Sequence, residues 1–92
     1  MKRVKGFNLP LPDPGDCRVQ INLPQYAQAL TVSAEADELT VWVLTDSTAN
    51  LRLRSFCVAA TNQPLEEVNL ARYRFLASVQ AMGQMQHVWV EE

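Results

Sequence analysis

Apolar and polar residues alternate along much of this chain. In the stretch 17–23 every second residue is apolar, and the same period of two returns in 30–35, 51–60 and 73–81. A period of two is the pattern of a β-strand with one face in a core and one face in water. The sequence therefore predicts strands in all four stretches. The predicted apolar face of 30–35 carries Leu30, Val32 and Ala34. That of 73–81 carries Tyr73, Phe75, Ala77 and Val79.

Three further stretches complete the set of predicted strands. The run 39–44 is apolar on both faces, which is typical of a central strand covered on both sides. The stretch 85–91 alternates again, and 4–9 is a weaker strand. Polar residues at 35–38 predict a hairpin turn ahead of 39–44, and Gly83 predicts another ahead of 85–91.

Helical spacing is confined to one short stretch. Apolar residues in 65–71 recur about every three residues, which predicts a helix of at most two turns. The prolines that follow position 9 cannot donate hydrogen bonds to a strand ladder and mark a loop. We therefore predict one mostly β domain over residues 1–92. Its expected architecture is a small antiparallel sandwich or partly open barrel of six to seven strands with at most one short helix.

Large aromatic side chains supply the expected core. Burying a few large rings stabilises a small β domain. Trp89, close to the end of the chain, is the ring that we expect at an interface with a partner. The rings assigned to the core are Trp42, Tyr73, Phe75 and Trp89.

Charge and cysteine use bound the cellular context. The formal net charge is −2, which disfavours nucleic acid as a partner because its binders generally carry a basic stripe. No apolar run is long enough for a signal peptide or a membrane span. Cys17 and Cys57 occupy apolar strand positions without metal-ligand spacing, so we expect both to be buried and reduced. These features predict a cytoplasmic protein.

Four arginines are the first candidate binding residues. Arg52 and Arg54 project from one side of a predicted strand, and Arg72 and Arg74 do likewise on another. Guanidinium groups bind phosphate and carboxylate through paired hydrogen bonds. If the two strands pair, the four side chains form one anion-binding patch. The alternative is a solvated face that protects a strand edge from aggregation.

His87, the single histidine of the chain, shares a predicted strand face with Trp89. Both are candidate binding residues, and we assign His87 a structural or interface role because no carboxylates or cysteines are spaced to complete a metal site with it. No nucleophile elbow, triad spacing or glycine-rich phosphate loop occurs in the sequence. The sequence therefore predicts a protein without catalytic activity, bound metal or cofactor.

Short motifs occur along nearly the whole chain. They are Phe7 with Leu9, Leu23-Pro24, Val41-Trp42-Val43-Leu44-Thr45-Asp46, Phe56 followed by 60–64, and Gln86-His87-Val88-Trp89. Together they resemble a family of uncharacterised proteins from tailed bacteriophages and prophages. In that family the strand similar to Phe56 leads into a Gly-Thr-Gly-His-Pro loop, and both glycines and the histidine of that loop are absent here. The resemblance implies action in the cytoplasm of an infected bacterium. It implies no activity, because the family has none assigned.

Three functions fit these observations. The first is a phage- or prophage-encoded protein that binds a host or phage macromolecule and modulates a host protein or defence system. The second is a binder of a small anionic ligand or nucleotide in an arginine-lined pocket, and the third is a minor virion assembly protein. Because a core this small leaves stability to be gained by association, we also expect a two-fold homodimer. Its contact would use strand edges or the face that carries Trp89.

Overall fold

The computed structural model describes residues 1–46, 48–65 and 68–92, which form seven β-strands and one 3₁₀ helix. The 3₁₀ helix spans Leu70–Arg72. The predicted mostly β class with at most one short helix is confirmed. The strands are β1 (Lys2–Leu9), β2 (Arg18–Pro24), β3 (Gln28–Glu35), β4 (Glu38–Asp46), β5 (Leu51–Ala60), β6 (Tyr73–Ala81) and β7 (Gln84–Glu91).

The strands form two antiparallel sheets that pack face to face. Their strand orders are β1-β4-β3 and β2-β5-β7-β6. On one side of the molecule the edge strand β3 lies against the edge strand β6. On the other side β1 and β2 barely touch, so the sheets do not close into a barrel. Of the two predicted architectures, the structure adopts the sandwich, with seven strands.

The core lies between the two sheets. Its largest fully buried side chain is Phe56. Along β4, the central strand of the three-stranded sheet, buried residues alternate with more exposed ones. The prediction that 39–44 is covered on both faces is therefore wrong, since the outer face of β4 keeps part of its surface in water. The other core residues are Leu9, Leu23, Ala27, Ala29, Val32, Leu39, Val41, Val43, Val58, Ala81, Val88 and Val90.

Both predicted hairpins are confirmed. Ala36 and Asp37 join β3 to β4, and Met82 and Gly83 join β6 to β7. All four residues have positive φ, as the two central residues of a type I′ turn require. The backbone N–H of Met82 donates to Asp37 Oδ1 over 2.8 Å. This bond links the tips of the two hairpins across the two sheets.

A β-bulge in each of two strands changes which residues face the core. The register of β3 shifts between Ala29 and Thr31, and that of β6 shifts between Phe75 and Ala77. An extra residue in a strand sends the residues beyond it to the opposite face. Leu30 is consequently 40% exposed, and Phe75 points to the outer face and is 51% exposed. The single apolar faces predicted for these two strands are therefore wrong.

The predicted aromatic core is also wrong. Trp42 is 38% exposed on the outer face of the three-stranded sheet, where its indole N–H donates to Ser33 Oγ over 2.9 Å. Its ring covers Gly6 of β1, because a Cβ atom at that position would lie 2.9 Å from the ring. Tyr73 and Trp89 are half-buried. These rings pack on outer sheet faces, whereas Phe56 is fully buried in the core and the partly buried Phe7 packs against it.

The helix predicted over 65–71 is reduced to the 3₁₀ helix at its end. Leu65 and Val68 are not helical, and positions 66 and 67 lie outside the described residues. The side-chain oxygen of Asn69 accepts a hydrogen bond from the backbone N–H of Ala71 and caps the 3₁₀ helix. In the described part of the chain no helix is long and apolar enough to cross a membrane.

Candidate functional site

Arg54 and Arg74 both donate to backbone carbonyls of the chain around the start of β3. Arg54 Nη1 donates to the carbonyl of Ala27 over 3.0 Å, and Arg74 Nη2 donates to the carbonyl of Ala29 over 2.7 Å. Arg74 Nε also pairs with Glu92 Oε1 at 2.8 Å. Arg74 thus joins the four-stranded sheet to β3 of the other sheet, and Arg54 joins it to the residue just before β3. These hydrogen bonds stabilise the fold.

Arg52 and Arg72 take no part in these hydrogen bonds. Arg52 shares the strand side of Arg54 and is exposed, while Arg72 ends the 3₁₀ helix and does not belong to β6. A single patch requires β5 and the strand that follows Arg72 to pair directly. They do not pair, because β7 lies between β5 and β6. The four predicted arginines therefore do not form one patch.

A concave cavity of about 600 Å³ opens on the outer face of the four-stranded sheet. Two arginines line it, Arg18 at the start of β2 and Arg72 on the 3₁₀ helix. Hydroxyl and amide side chains surround them, and Gln20 Nε2 donates to Ser55 Oγ over 3.0 Å across the β2–β5 pair. The lining residues are Arg18, Gln20, Ser55, Asn69, Arg72, Tyr73 and Glu91.

A second cavity of about 560 Å³ adjoins the first and shares Arg18 with it. Its wall is organised by Asp16, whose Oδ1 accepts the backbone N–H of Cys17 over 2.7 Å and that of Arg18 over 3.1 Å. These bonds, from Arg18 and next from Cys17, lower the pKa of Asp16, so the carboxylate stays ionised. Gln63 Nε2 donates to the carbonyl of Asp16 and holds the opposite wall in place. We call the two cavities together the outer groove.

Tyr73 contributes a neutral hydroxyl to the groove. Burial, and next the carboxylate of Glu91 on the paired strand, raise the pKa of Tyr73 above its ordinary value. The phenol therefore keeps its proton at neutral pH and can donate a hydrogen bond. The first cavity is thus lined by two guanidinium groups, one phenol and one carboxylate.

Cys17 and Cys57 lie buried beside the groove, and both are free thiols. The carbonyl of Cys17 accepts the backbone N–H of Val58 over 2.7 Å, which places the two cysteines at the same end of the β2–β5 pair. Burial, and next a hydrogen bond with the Cys17 thiol, raise the pKa of Cys57 to about 12. The prediction of buried, unpaired cysteines agrees with this geometry.

We expect the thiols to resist modification in the folded protein. Both sulfurs are buried and out of reach of reagents, so a disulfide-forming thiol reagent should label the native protein slowly at about pH 8. In denaturant without reductant both thiols should react within the mixing time. Absorbance of the released reagent group measures both rates. Loss of both thiols from the unfolded protein would show that they had been oxidised.

His87 is held between two hydroxyl groups on the outer face. Ser78 Oγ lies 2.6 Å from its Nδ1, and Thr61 Oγ1 lies 2.8 Å from its Nε2. A hydroxyl group can donate or accept, so both contacts can be hydrogen bonds. Among the described residues the ring has hydroxyl partners and no carboxylate partner, so a Ser-His-Asp arrangement is not assembled there. The contacts orient the ring.

Trp89 packs between His87 and Phe75 on the same face. Its ring meets Phe75 edge to face at a centroid distance of 5.6 Å and lies 6.4 Å from the His87 ring. These three side chains form an aromatic row along β6 and β7. Within the described ranges no group of three or more histidine, cysteine, aspartate or glutamate residues could hold a metal ion.

Sequence reasoning missed most of the groove. Arg18 and Gln20 share the polar face of β2, and this alternation was visible in the sequence. Nothing local, however, indicates that β2 pairs with β5 and brings Ser55 beside them. Simple alternation over 73–81 places Tyr73 in the core, because alternation does not reveal the bulge between Phe75 and Ala77. Of the predicted site residues, the groove includes Arg72.

The fold and the outer groove define a small two-sheet β-sandwich with a concave polar site. The chain belongs to the family described as Domain of unknown function (DUF7352), whose model matches residues 1–92. The expected membership in a family without an assigned activity is thereby confirmed. No curated protein and no solved structure matches the chain.

Proposed function

We propose that this protein is a non-catalytic binding domain whose outer groove takes a small anionic ligand. The observation that carries the proposal is the placement of Arg18 and Arg72 in the wall of one concave cavity. Its volume of about 600 Å³ falls within the range of about 300–1,000 Å³ that is usual for small-molecule sites.

The side chains of the first cavity define what a ligand must offer. Arg72 supplies a planar set of donors that matches a phosphate or a carboxylate, and Tyr73 adds a neutral hydroxyl. Glu91 repels a ligand that is anionic throughout and favours one that also carries a hydroxyl or amino donor. The groove therefore fits a ligand with an acidic group at one end and a hydrogen-bond donor at the other.

A second candidate function is binding of a protein partner through the aromatic row. Phe75 is 51% exposed beside Trp89, and exposed aromatic side chains are enriched in protein interfaces. The phage or prophage origin, the bacterial cytoplasm as the site of action and the modulation of a host protein remain part of the proposal. The sequence resemblance supports them.

Titration of the ¹⁵N-labelled protein with inorganic phosphate and with adenosine monophosphate tests ligand binding. We expect amide shifts at Gln20, Ser55 and Tyr73. Loss of a bidentate guanidinium contact costs about 1–3 kcal/mol, so Arg72→Gln should weaken binding about 5- to 150-fold. The matched control Arg52→Gln removes an exposed arginine outside the groove and should leave the affinity unchanged.

Two outcomes contradict the proposal. One is that neither phosphate nor adenosine monophosphate shifts the amide signals of Gln20, Ser55 and Tyr73. The other is an equal loss of affinity in Arg72→Gln and Arg52→Gln, which would show attraction by overall charge and no specific site. Shifts confined to Phe75, His87 and Trp89 would instead favour the aromatic row as the binding surface.

A further inference from the structure

Two sheet edges face the open side of the sandwich, and they differ in chemistry. β1 carries Lys2, Arg3 and Lys5, all exposed, along its length. Charged side chains, lysine above all, are the usual protection of an edge strand against pairing with another chain. β2 has a single charged residue, Arg18, at its first position. The edge of β2 thus lacks the protection that β1 has.

The hydrogen-bond pattern shows which groups of β2 point away from β5. The backbone N–H of Val58 donates to the carbonyl of Cys17. In an antiparallel pair the residues that bond to the neighbour alternate with those that point outward. Cys17 bonds to β5, and the register continues without a shift along β2. The backbone groups of odd-numbered residues therefore point to β5, and those of even-numbered residues point to the open edge. The outward residues of β2 are Arg18, Gln20, Asn22 and Pro24.

Local contacts limit the part of this edge that can pair. The N–H of Arg18 donates to Asp16 Oδ1. Pro24 has no N–H, and its carbonyl accepts the N–H of Ala27 over 3.1 Å. No hydrogen bond between described residues uses the outward backbone groups of Gln20 and Asn22. These two residues present the donors and acceptors of the edge.

We infer that a second copy of this chain pairs with the edge, β2 against β2, around a two-fold axis at Ile21. In this register Gln20 of one copy stands opposite Asn22 of the other, and each pair exchanges two N–H to carbonyl bonds. Any other antiparallel register places Gln20 or Asn22 opposite Arg18 or Pro24. The N–H of Arg18 is bonded to Asp16 and Pro24 has no N–H, so no other register uses both Gln20 and Asn22 in both copies.

The side chains are compatible with this register. Ile21 meets its own copy on the inner face, where Val19 stands opposite Leu23 and the half-exposed Val19 and Ile21 become covered. Gln20 and Asn22 place two amides side by side on the outer face. Arg18 stands opposite Pro24, so no like charges meet. The same two-fold pairing of β1 would bring its basic residues together.

Association of this kind joins the two four-stranded sheets into one sheet of eight strands. A two-fold axis perpendicular to a sheet keeps the outer faces on one side, so both outer grooves open on the same face. Gln20 belongs to the edge and also lines the groove. The pairing thereby places two ligand sites next to each other across the axis.

Sedimentation of ligand-free protein at micromolar concentrations tests the inference independently of the groove. Asn22→Pro removes an outward N–H that β5 does not use, and proline is tolerated at such edge positions. We expect its dimer dissociation constant to rise about tenfold or more, as the loss of hydrogen bonds across the axis requires. Asn22→Ala keeps the N–H and should sediment like the unchanged protein. Melting temperatures of both variants check that they fold.

Cross-linking supplies a second measurement that does not depend on a proline variant. Ile21→Cys puts a thiol at the axis, where mild oxidation should form a covalent dimer, whereas Val4→Cys on the exposed part of β1 should not. A monomeric unchanged protein, or equal sedimentation of Asn22→Pro and Asn22→Ala, would overturn the inference. Dissociation by Trp89→Ala with no effect of Asn22→Pro would assign the contact to the aromatic row.

Discussion

Replacing Phe56 by alanine is expected to lower the free energy of unfolding by about 3–5 kcal/mol, the largest stability loss of any substitution considered for this protein. Phe56 has no exposed surface and is the largest fully buried side chain of the core. A domain of this length has a total stability of about 5–14 kcal/mol, so the loss removes a large share of it and should lower the urea midpoint markedly. Urea unfolding followed by tryptophan fluorescence measures the change.

Phe75→Ala is the matched control, because it removes the same ring from a position that is 51% exposed. The expected loss is about 0.5–1.5 kcal/mol, mainly from the edge-to-face contact with Trp89. Equal losses at Phe56 and Phe75 would contradict the bulge that sends Phe75 to the outer face. A larger loss of stability in Phe75→Ala than in Phe56→Ala would show that Phe75 lies in the core, as simple alternation predicts.

Replacing Arg54 by methionine is expected to cost about 1–3 kcal/mol, because the carbonyl of buried Ala27 loses its hydrogen-bond donor. Methionine is close to arginine in length and retains the apolar contacts of the stem, so the change isolates the guanidinium group. Arg52→Met, two residues away on the same side of β5, alters an exposed residue and should change stability by less than about 0.5 kcal/mol.

Thermal unfolding by circular dichroism distinguishes the two variants. A destabilisation of about 1–3 kcal/mol lowers the melting temperature of a domain of this size by several degrees. If Arg52→Met and Arg54→Met melt together, Arg54 does not join the sheets. Addition of phosphate is an informative second condition: it should shift the melting temperatures of Arg54→Met and of the unchanged protein alike, since Arg54 does not line the groove.

Some of this structure can be inferred from neighbouring residues along the chain. The strands have a period of two because successive side chains point to opposite faces, and that rule needs no partner strand. The hairpins at 36–37 and 82–83 follow from short polar or glycine-containing turns between such strands. The mostly β class, both hairpins and the buried positions of Cys17 and Cys57 were therefore predictable from the sequence.

Long-range pairing decided the rest. A bulge is specified by the two strands that meet at it, so alternation could not reveal that Leu30 and Phe75 leave the core face. The position of β7 between β5 and β6 rules out the strand pairing on which one patch of four arginines depended. The outer groove likewise depends on β2 pairing with a strand more than thirty residues further along. These features require contacts between distant segments, which residue periodicity does not encode.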